Sequence, residues 1–287
     1  MKKFFASVGK AICYFLAYFG MQMILSFIFT FCAGLVLGIR LGASGESFAP
    51  EEINERLLSI VNQYAMLITL ISGALTVALF VIFFLVRKKR LSEAMCLRKF
   101  SAKGIVPIML LGASINVFIS LIFSIIPFPD SWINDYRESS SAITAGSVIV
   151  SLLATVIAAP VTEELTFRAL MYTRLKKGMP AFIAALASSL IFGIVHGSPI
   201  WMIYTFAFGM LLIWIFERFD SALACILLHM VFNVVGMLPM PDGEISDAVY
   251  WTVLGVSAVI AIASALWVFL LTRGEYNVRK LRPEIHI

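Results

Sequence analysis

Two adjacent glutamates, an arginine, two histidines and an asparagine are the side chains in this 287-residue chain that could do chemistry. All fall between positions 163 and 233. Glu163, Glu164 and Arg168 lie in "APVTEELTFRAL" (159–170), His196 closes "FGIVH", and His229 and Asn233 lie in "LLHMVFN". The chain has only three histidines; the third, His286, sits in the tail, where no specific role is expected. On a helix Glu164 and Arg168 are four apart, so they share a face and can pair, with the acid on the favoured N-terminal side. Glu163 points about 100° away and is free to face something else. His229 and Asn233 share a face by the same spacing, and Phe192 falls under His196. Pro160 removes a helical hydrogen bond just before the glutamates, which frees a backbone carbonyl and can kink the helix there.

A carboxylate and two imidazoles in a semi-dry pocket support hydrolysis in two ways. In one, Glu163 takes a proton from water as general base, helped by His196, while His229 and Asn233 donate to the oxyanion of a tetrahedral intermediate. In the other, Glu163, His196 and His229 bind one zinc ion as a His₂Glu set with an open position for water. The residues do not choose between the two, so the cofactor stays open. No HExxH occurs, which excludes the zincin arrangement. Serine catalysis lacks support: there is no GxSxG, and Ser188 and Ser189 have no evident base. Cys13, Cys32, Cys96 and Cys225 have no metal-ligand spacing and imply no disulfide framework.

Each residue also has a plainer reading. Glu164 and Arg168 fit an ion pair at the membrane interface that seats the segment at its depth. A histidine on an apolar helix is commonly a packing residue, and an asparagine there is commonly interhelical glue. The set outweighs these readings because four costly residue types converge on neighbouring spans, while the first, second, third and eighth spans carry no ionisable residue in their central parts.

The elements that must position these residues are membrane helices. The chain is 61% hydrophobic and 14% charged, with a mean hydropathy of +0.96, whereas about 25% of residues are charged in a soluble domain. Eight apolar runs, about 11–39, 62–86, 105–126, 142–162, 181–197, 200–216, 221–238 and 249–271, suggest eight transmembrane helices around a buried polar cavity. The expected fold is therefore an all-α polytopic membrane protein, with 1–287 as one integral membrane domain. Tracing eight spans from a cytoplasmic N-terminus collects Lys2, Lys3, Lys10, the clusters Arg87–Lys103 and Arg168–Lys177, Arg218 and the Arg273–Arg282 tail on one side. The other side receives only Arg40, Arg56 and Arg137, so both termini are expected in the cytoplasm. The net charge of +5 is thereby used in topology and contact with the lipid bilayer, and it calls for no nucleic acid. The polar connections are about 40–61, 87–104, 127–141 and 272–287. The first contains "PEEINERLLSIV", which begins as a helix should, with a proline followed by acidic residues. The opening twenty residues resemble a signal peptide, but the apolar run continues too far, so an uncleaved first span is expected.

"EELTFRA", "SSLIFGIVHG" and "LLHMVFN" resemble the three signatures EExxxR, FxxxH and HxxxN/D of the CPBP intramembrane proteases, a family that groups CAAX prenyl endopeptidases with bacterial proteins of bacteriocin processing and immunity. The resemblance spans about 155–236, the core of an eight-helix fold. It implies Glu163 as the catalytic glutamate, His196 as the second-signature histidine, and His229 with Asn233 as the third-signature pair. Glu164 and Arg168 match supporting positions. Ala169 and Ile213 stand where glycines are frequent, and "FD" at 219–220 replaces a frequent "TG"; these departures bear on helix packing more than on activity. The family is classed as metalloprotease, and a metal-free glutamate mechanism has also been argued for it.

The expected function is an intramembrane endopeptidase, in a bacterial plasma membrane, acting on a peptide or membrane-protein substrate near the membrane surface. The alternatives are a non-catalytic immunity or scaffold protein of the same fold, and a proton-coupled transporter using Glu163 and His196 as a relay. A pure binder has no need of both histidines, and no internal repeat of the transporter kind is visible. One feature resists the set: counted along the spans, Glu163 and His229 fall near mid-depth, but His196 falls nearer the outer side unless the "GSP" turn stays inside the protein.

Overall fold

The computed structural model describes residues 1–44, 49–239 and 246–281, with side chains as far as 278; His286 and Arg282 lie outside the described residues. Within them the chain is all-helical, without a strand. Helix α1 is Lys2–Ser44, α2 Pro50–Val86, α3 Leu91–Ala94, α4 Ile105–Ile125 and α5 Asp130–Thr144. These are followed by α6, Val148–Leu175, then α7 Ala181–Ile194, α8 Pro199–Phe219, α9 Ala222–Gly236 and α10 Asp247–Leu281. As expected, α2 starts on Pro50 with Glu51 and Glu52 in its first turn, where the proline lacks only an N–H that would be unbonded anyway. The connection 127–141, read as a polar linker, instead folds mostly as α5, which lies against α2 and α8.

Six helical stretches are long and apolar enough to cross a membrane: α1, α2, Ala102–Ile125, α6, α8 and Asp247–Val278. They make this an integral membrane protein. Large apolar side chains face outward along them, with Phe27 and Ile39 each 72% exposed and Leu270 65%, a surface that water would penalise and lipid tails accept. The runs 181–197 and 221–238, expected to span as well, form α7 and α9 of only 14 and 15 residues. At 1.5 Å per residue these reach about 21 and 22 Å, short of a hydrocarbon core of about 30 Å. Helix α7 stops because Gly197 turns the chain with φ +80°, a conformation that glycine adopts without strain, and Pro199 then opens α8. Ser198 in this turn is buried. Gly197 beside it is exposed and His196 half-buried, so the turn is only partly enclosed by the protein.

Helix α6 is the interior element, in contact with α1, α2, α7 and α9; α4 packs on α9 and α10, and α7 on α8. Every residue from Thr162 to Tyr172 is buried. The approach of α2 to α6 depends on Gly73, where a Cβ would stand 2.9 Å from the Thr162 hydroxyl. Lipid gives helices little hydrophobic reason to associate, so close packing and polar contacts carry the assembly. Asn116 Nδ2 donates to Phe232 O at 3.0 Å, tying α4 to α9. Arg218 Nε donates to Thr272 Oγ1 at 2.7 Å and its guanidinium lies 4.6 Å from the Phe269 ring, tying α8 to α10.

The departures at 219–220 have a packing explanation. Asp220 ends α8 in the left-handed conformation, φ 51°, which favours glycine but which aspartate also visits. Its carboxylate pairs with Arg98, Phe219 packs edge-on against Phe100, and Ala222 N–H donates to Cys96 O. The 96–100 segment thereby braces a corner where a small residue is frequent.

Candidate active site

The site begins with the backbone of α6. Residues 153–158 and 164–172 run in wide π-helical turns, with an α-helical turn at Ala159–Glu163 between them. π-Helical turns are rare and gather at functional sites because the extra residue per turn redirects side chains. Here the change of pitch brackets the two glutamates and sends them to different neighbours.

Glu164 and Arg168 pair as the four-residue spacing predicts, with Nη1 and Oε1 2.9 Å apart. Both are fully buried in the protein, because α1, α7 and α9 close over this part of α6. The same Oε1 accepts a hydrogen bond from His229 Nδ1 at 2.8 Å, which makes a dry triad of Arg168, Glu164 and His229. Arg168 also lies flat over the Phe192 ring, 4.1 Å from its centroid, a favourable seat for a desolvated guanidinium.

Glu163 turns the other way. Its Oε2 stands 3.8 Å from His229 Nε2, and its Oε1 accepts from the Tyr18 hydroxyl at 3.4 Å. The carboxylate lines a cavity of about 220 Å³ whose wall includes Tyr18, Gln22, Thr76, Thr162, His196 and Trp201. His229 is therefore held by one glutamate through Nδ1 and presents Nε2 to the other. His196 shares the cavity with Glu163, and its Nδ1 donates to Phe192 O at 2.6 Å, which fixes the ring and leaves Nε2 as the reactive nitrogen. Phe192 stacks edge-on beneath His196, with centroids 4.8 Å apart, as the spacing implied.

Asn233 is placed differently from the rest. Its Nδ2 donates to Thr155 O at 2.8 Å, and it is not part of the cavity wall. Structure thus brings Glu163, Glu164, Arg168 and His229 into direct contact, adds His196 across the cavity, and commits the Asn233 amide to the backbone of α6. Ser188 donates to Phe167 O.

A zinc ion bound by Glu163, His196 and His229 does not fit this arrangement. Each histidine has its Nδ1 anchored, as metal ligands commonly do. However, among the described residues no three His, Cys, Asp or Glu side chains gather closely enough to hold a metal.

Tyr18, Gln22 and Thr76 were missed because a search for ionisable residues passes over neutral polar ones. Their signal was spacing. Tyr18 and Gln22 are four apart on α1, and Thr69, Ser72 and Thr76 repeat at helical intervals on α2. Gln22 bonds both Thr69 and Ser72, so two spans without charge in their central parts face each other through a polar seam leading to Glu163.

Comparison with known proteins agrees with this geometry. Residues 145–235 match the family model of the Rce1-like type II CAAX prenyl endopeptidases; no curated protein and no solved structure gives a match. The matched segment begins just before α6 and ends at Val235 in α9, so it includes Glu163, Glu164, Arg168, His196, His229 and Asn233. The stretch that carries the buried carboxylates and the two anchored imidazoles is therefore the part of the chain that matches an Rce1-like, type II CAAX prenyl endopeptidase domain.

Proposed function

We propose that this protein is an intramembrane endopeptidase that hydrolyses a peptide bond with water activated by Glu163, without a metal. One observation carries the reading: Glu163 lines a cavity and stands 3.8 Å from the Nε2 of a histidine whose other nitrogen is tied to a buried carboxylate. A water between Glu163 and the substrate carbonyl gives its proton to the carboxylate as its oxygen adds to the carbonyl carbon. His196 Nε2, left unprotonated by the bond from its Nδ1 to Phe192 O, accepts from the attacking water beside Glu163, and His229 donates to the tetrahedral oxyanion once its Nε2 has taken the proton from Glu163. The proton then passes to the departing amine, with His229 Nε2 as the relay. Tyr18 holds the far oxygen of Glu163, so the carboxylate has one preferred orientation. In this reading Glu164 and Arg168 do not touch the substrate; they hold His229.

The chain is read as one membrane domain in a bacterial plasma membrane with cytoplasmic termini, on the strength of the basic-residue distribution. Helices α7 and α9 are then the short walls of the cavity, completing eight helices around it. The substrate is a peptide or membrane protein cut near the membrane surface, and CAAX-ending chains are the first class to try.

The test uses purified protein in detergent, an internally quenched farnesylated CAAX peptide, and a set of unmodified membrane-anchored peptides. Glu163→Gln and His229→Ala should each lower turnover by at least about a thousandfold while the protein stays folded. Normal turnover in either variant removes the assignment. Stoichiometric metal together with loss of activity on chelation would overturn the metal-free step. Expression of Glu163→Gln in the native host, followed by identification of retained peptides, names the substrate.

A further inference from the structure

We propose that Asn233 is a positioning residue: its side-chain amide replaces the backbone N–H that Pro160 lacks, and it thereby holds the π-helical segment of α6 that aims Glu163. The argument starts from hydrogen-bond register. At the end of the first π-helical stretch Ala159 N–H donates to Ala154 O, five residues back. The next donor in that register would be residue 160, and its acceptor would be Thr155 O. Residue 160 is proline and has no N–H. Ala159 N–H, the alternative donor at α-helical spacing, is already on Ala154 O. Thr155 O is therefore left without a helical partner, inside a membrane protein where water is not at hand to supply one. Asn233 Nδ2 stands 2.8 Å from that oxygen.

The consequences reach the reacting groups through two helices. On α6, Glu163 lies three residues past Pro160, so the pitch of 153–160 sets its direction. On α9, His229 lies one turn before Asn233. The single bond from Asn233 to Thr155 O thus ties the two helices together about one turn of α9 beyond the point where Glu163 and His229 meet. This differs from donation to an oxyanion. An amide committed to a carbonyl at 2.8 Å has one of its two hydrogens already in use. The inference rests on the hydrolase reading only for its activity measurement.

The two roles separate in a double-mutant cycle with Pro160→Ala, which returns an N–H to position 160 in the register that reaches Thr155 O. Each protein is purified in detergent and measured twice: by its unfolding midpoint, and by kcat and KM on the quenched farnesylated peptide. With Pro160 in place, Asn233→Ala should lower kcat about tenfold or more and lower the midpoint, with KM within about twofold. In the Pro160→Ala background the same substitution should change kcat and midpoint by less than about twofold and a degree or two, because the backbone now satisfies Thr155 O. If Asn233→Ala alone does not fold but the double variant does, the rescue is shown directly. An equal loss from Asn233→Ala in both backgrounds, or a double variant that fails to fold where Pro160→Ala folds, overturns the proposal and returns Asn233 to the oxyanion. If wild-type protein cleaves none of the peptides, the hydrolase reading fails, and the unfolding half of the cycle alone decides the positioning role.

Discussion

Replacing Arg168 by methionine should be among the most destabilising single changes available in this protein, and the cost can be worked from its surroundings. The guanidinium is fully buried, 2.9 Å from Glu164 and 4.1 Å from the Phe192 ring centroid. Methionine keeps most of the volume and can still lie on Phe192. It leaves Glu164 as a buried carboxylate whose remaining partner is His229 Nδ1. Removing one member of a buried pair costs about 3–5 kcal/mol, chiefly because the other charge stays desolvated. The double variant Glu164→Gln/Arg168→Met removes both charges and leaves an amide oxygen for His229. It should recover most of that loss, since neutral replacements of buried pairs are often close to isoenergetic. Reversible unfolding of the purified protein in mixed micelles, followed by tryptophan fluorescence, measures all four members of the cycle. Cleavage should not recover with stability, because the neutral amide binds His229 Nδ1 more weakly than a carboxylate does. Arg168→Met within about 1 kcal/mol of wild type would refute the buried-triad reasoning. So would a double variant no more stable than Arg168→Met.

Two further outcomes follow from contacts outside the family signatures. Tyr18→Phe keeps the ring against Phe167 but removes the hydroxyl from Glu163 Oε1; kcat should fall by roughly three- to tenfold with KM little changed, the size of one neutral hydrogen bond. Steady-state kinetics on the quenched peptide check this, and unchanged kcat would remove Tyr18 from the site. Gly73→Val places branched carbon where a Cβ already meets the Thr162 hydroxyl at 2.9 Å. It should force α2 from α6 at a cost of about 1–3 kcal/mol, read as a lower unfolding midpoint, whereas the same substitution at Gly255, with open space around its Cβ position, should leave the midpoint within a degree or two.

Legibility in the sequence depended on how local each contact is. Hydropathy marked all eight apolar runs, and their helical state follows from the lipid's inability to bond the backbone. Hydropathy placed the break between α7 and α8 at 197–200, within three residues of where α7 stops at Ile194. It did not show that His196, at the end of that run, would share a cavity with Glu163. The Glu164–Arg168 pair was readable because it lies within one helical turn. Its burial was not, since that is decided by α1, α7 and α9 closing over α6. The His229–Glu164 bond joins residues 65 apart in sequence, and no periodicity announces which of two adjacent glutamates a distant histidine will choose. Helix α5 was passed over as a polar linker although Pro129 before it and Asp130 in its first turn are ordinary start signals.

The choice His229 makes is what turns two similar carboxylates into two different tools. Glu164 is held on one oxygen by an arginine and an imidazole, in a place without access to the cavity, so it is poorly placed to exchange a proton with substrate. It serves as a fixed charge. Through Nδ1 it sets the tautomer and plane of His229, and this directs Nε2 toward Glu163. Glu163, by contrast, has a weak tyrosine contact, a histidine beyond hydrogen-bond length, and open cavity in front. It can take up and release a proton without breaking the structure that aims it. Such a division lets the site be rigid where rigidity lowers reorganisation and open where chemistry needs water. Exchanging the order of jobs should therefore fail asymmetrically. Glu164→Gln should cost stability first and rate second, while Glu163→Gln should cost rate with stability kept or improved, because it removes a buried charge that has only two long contacts.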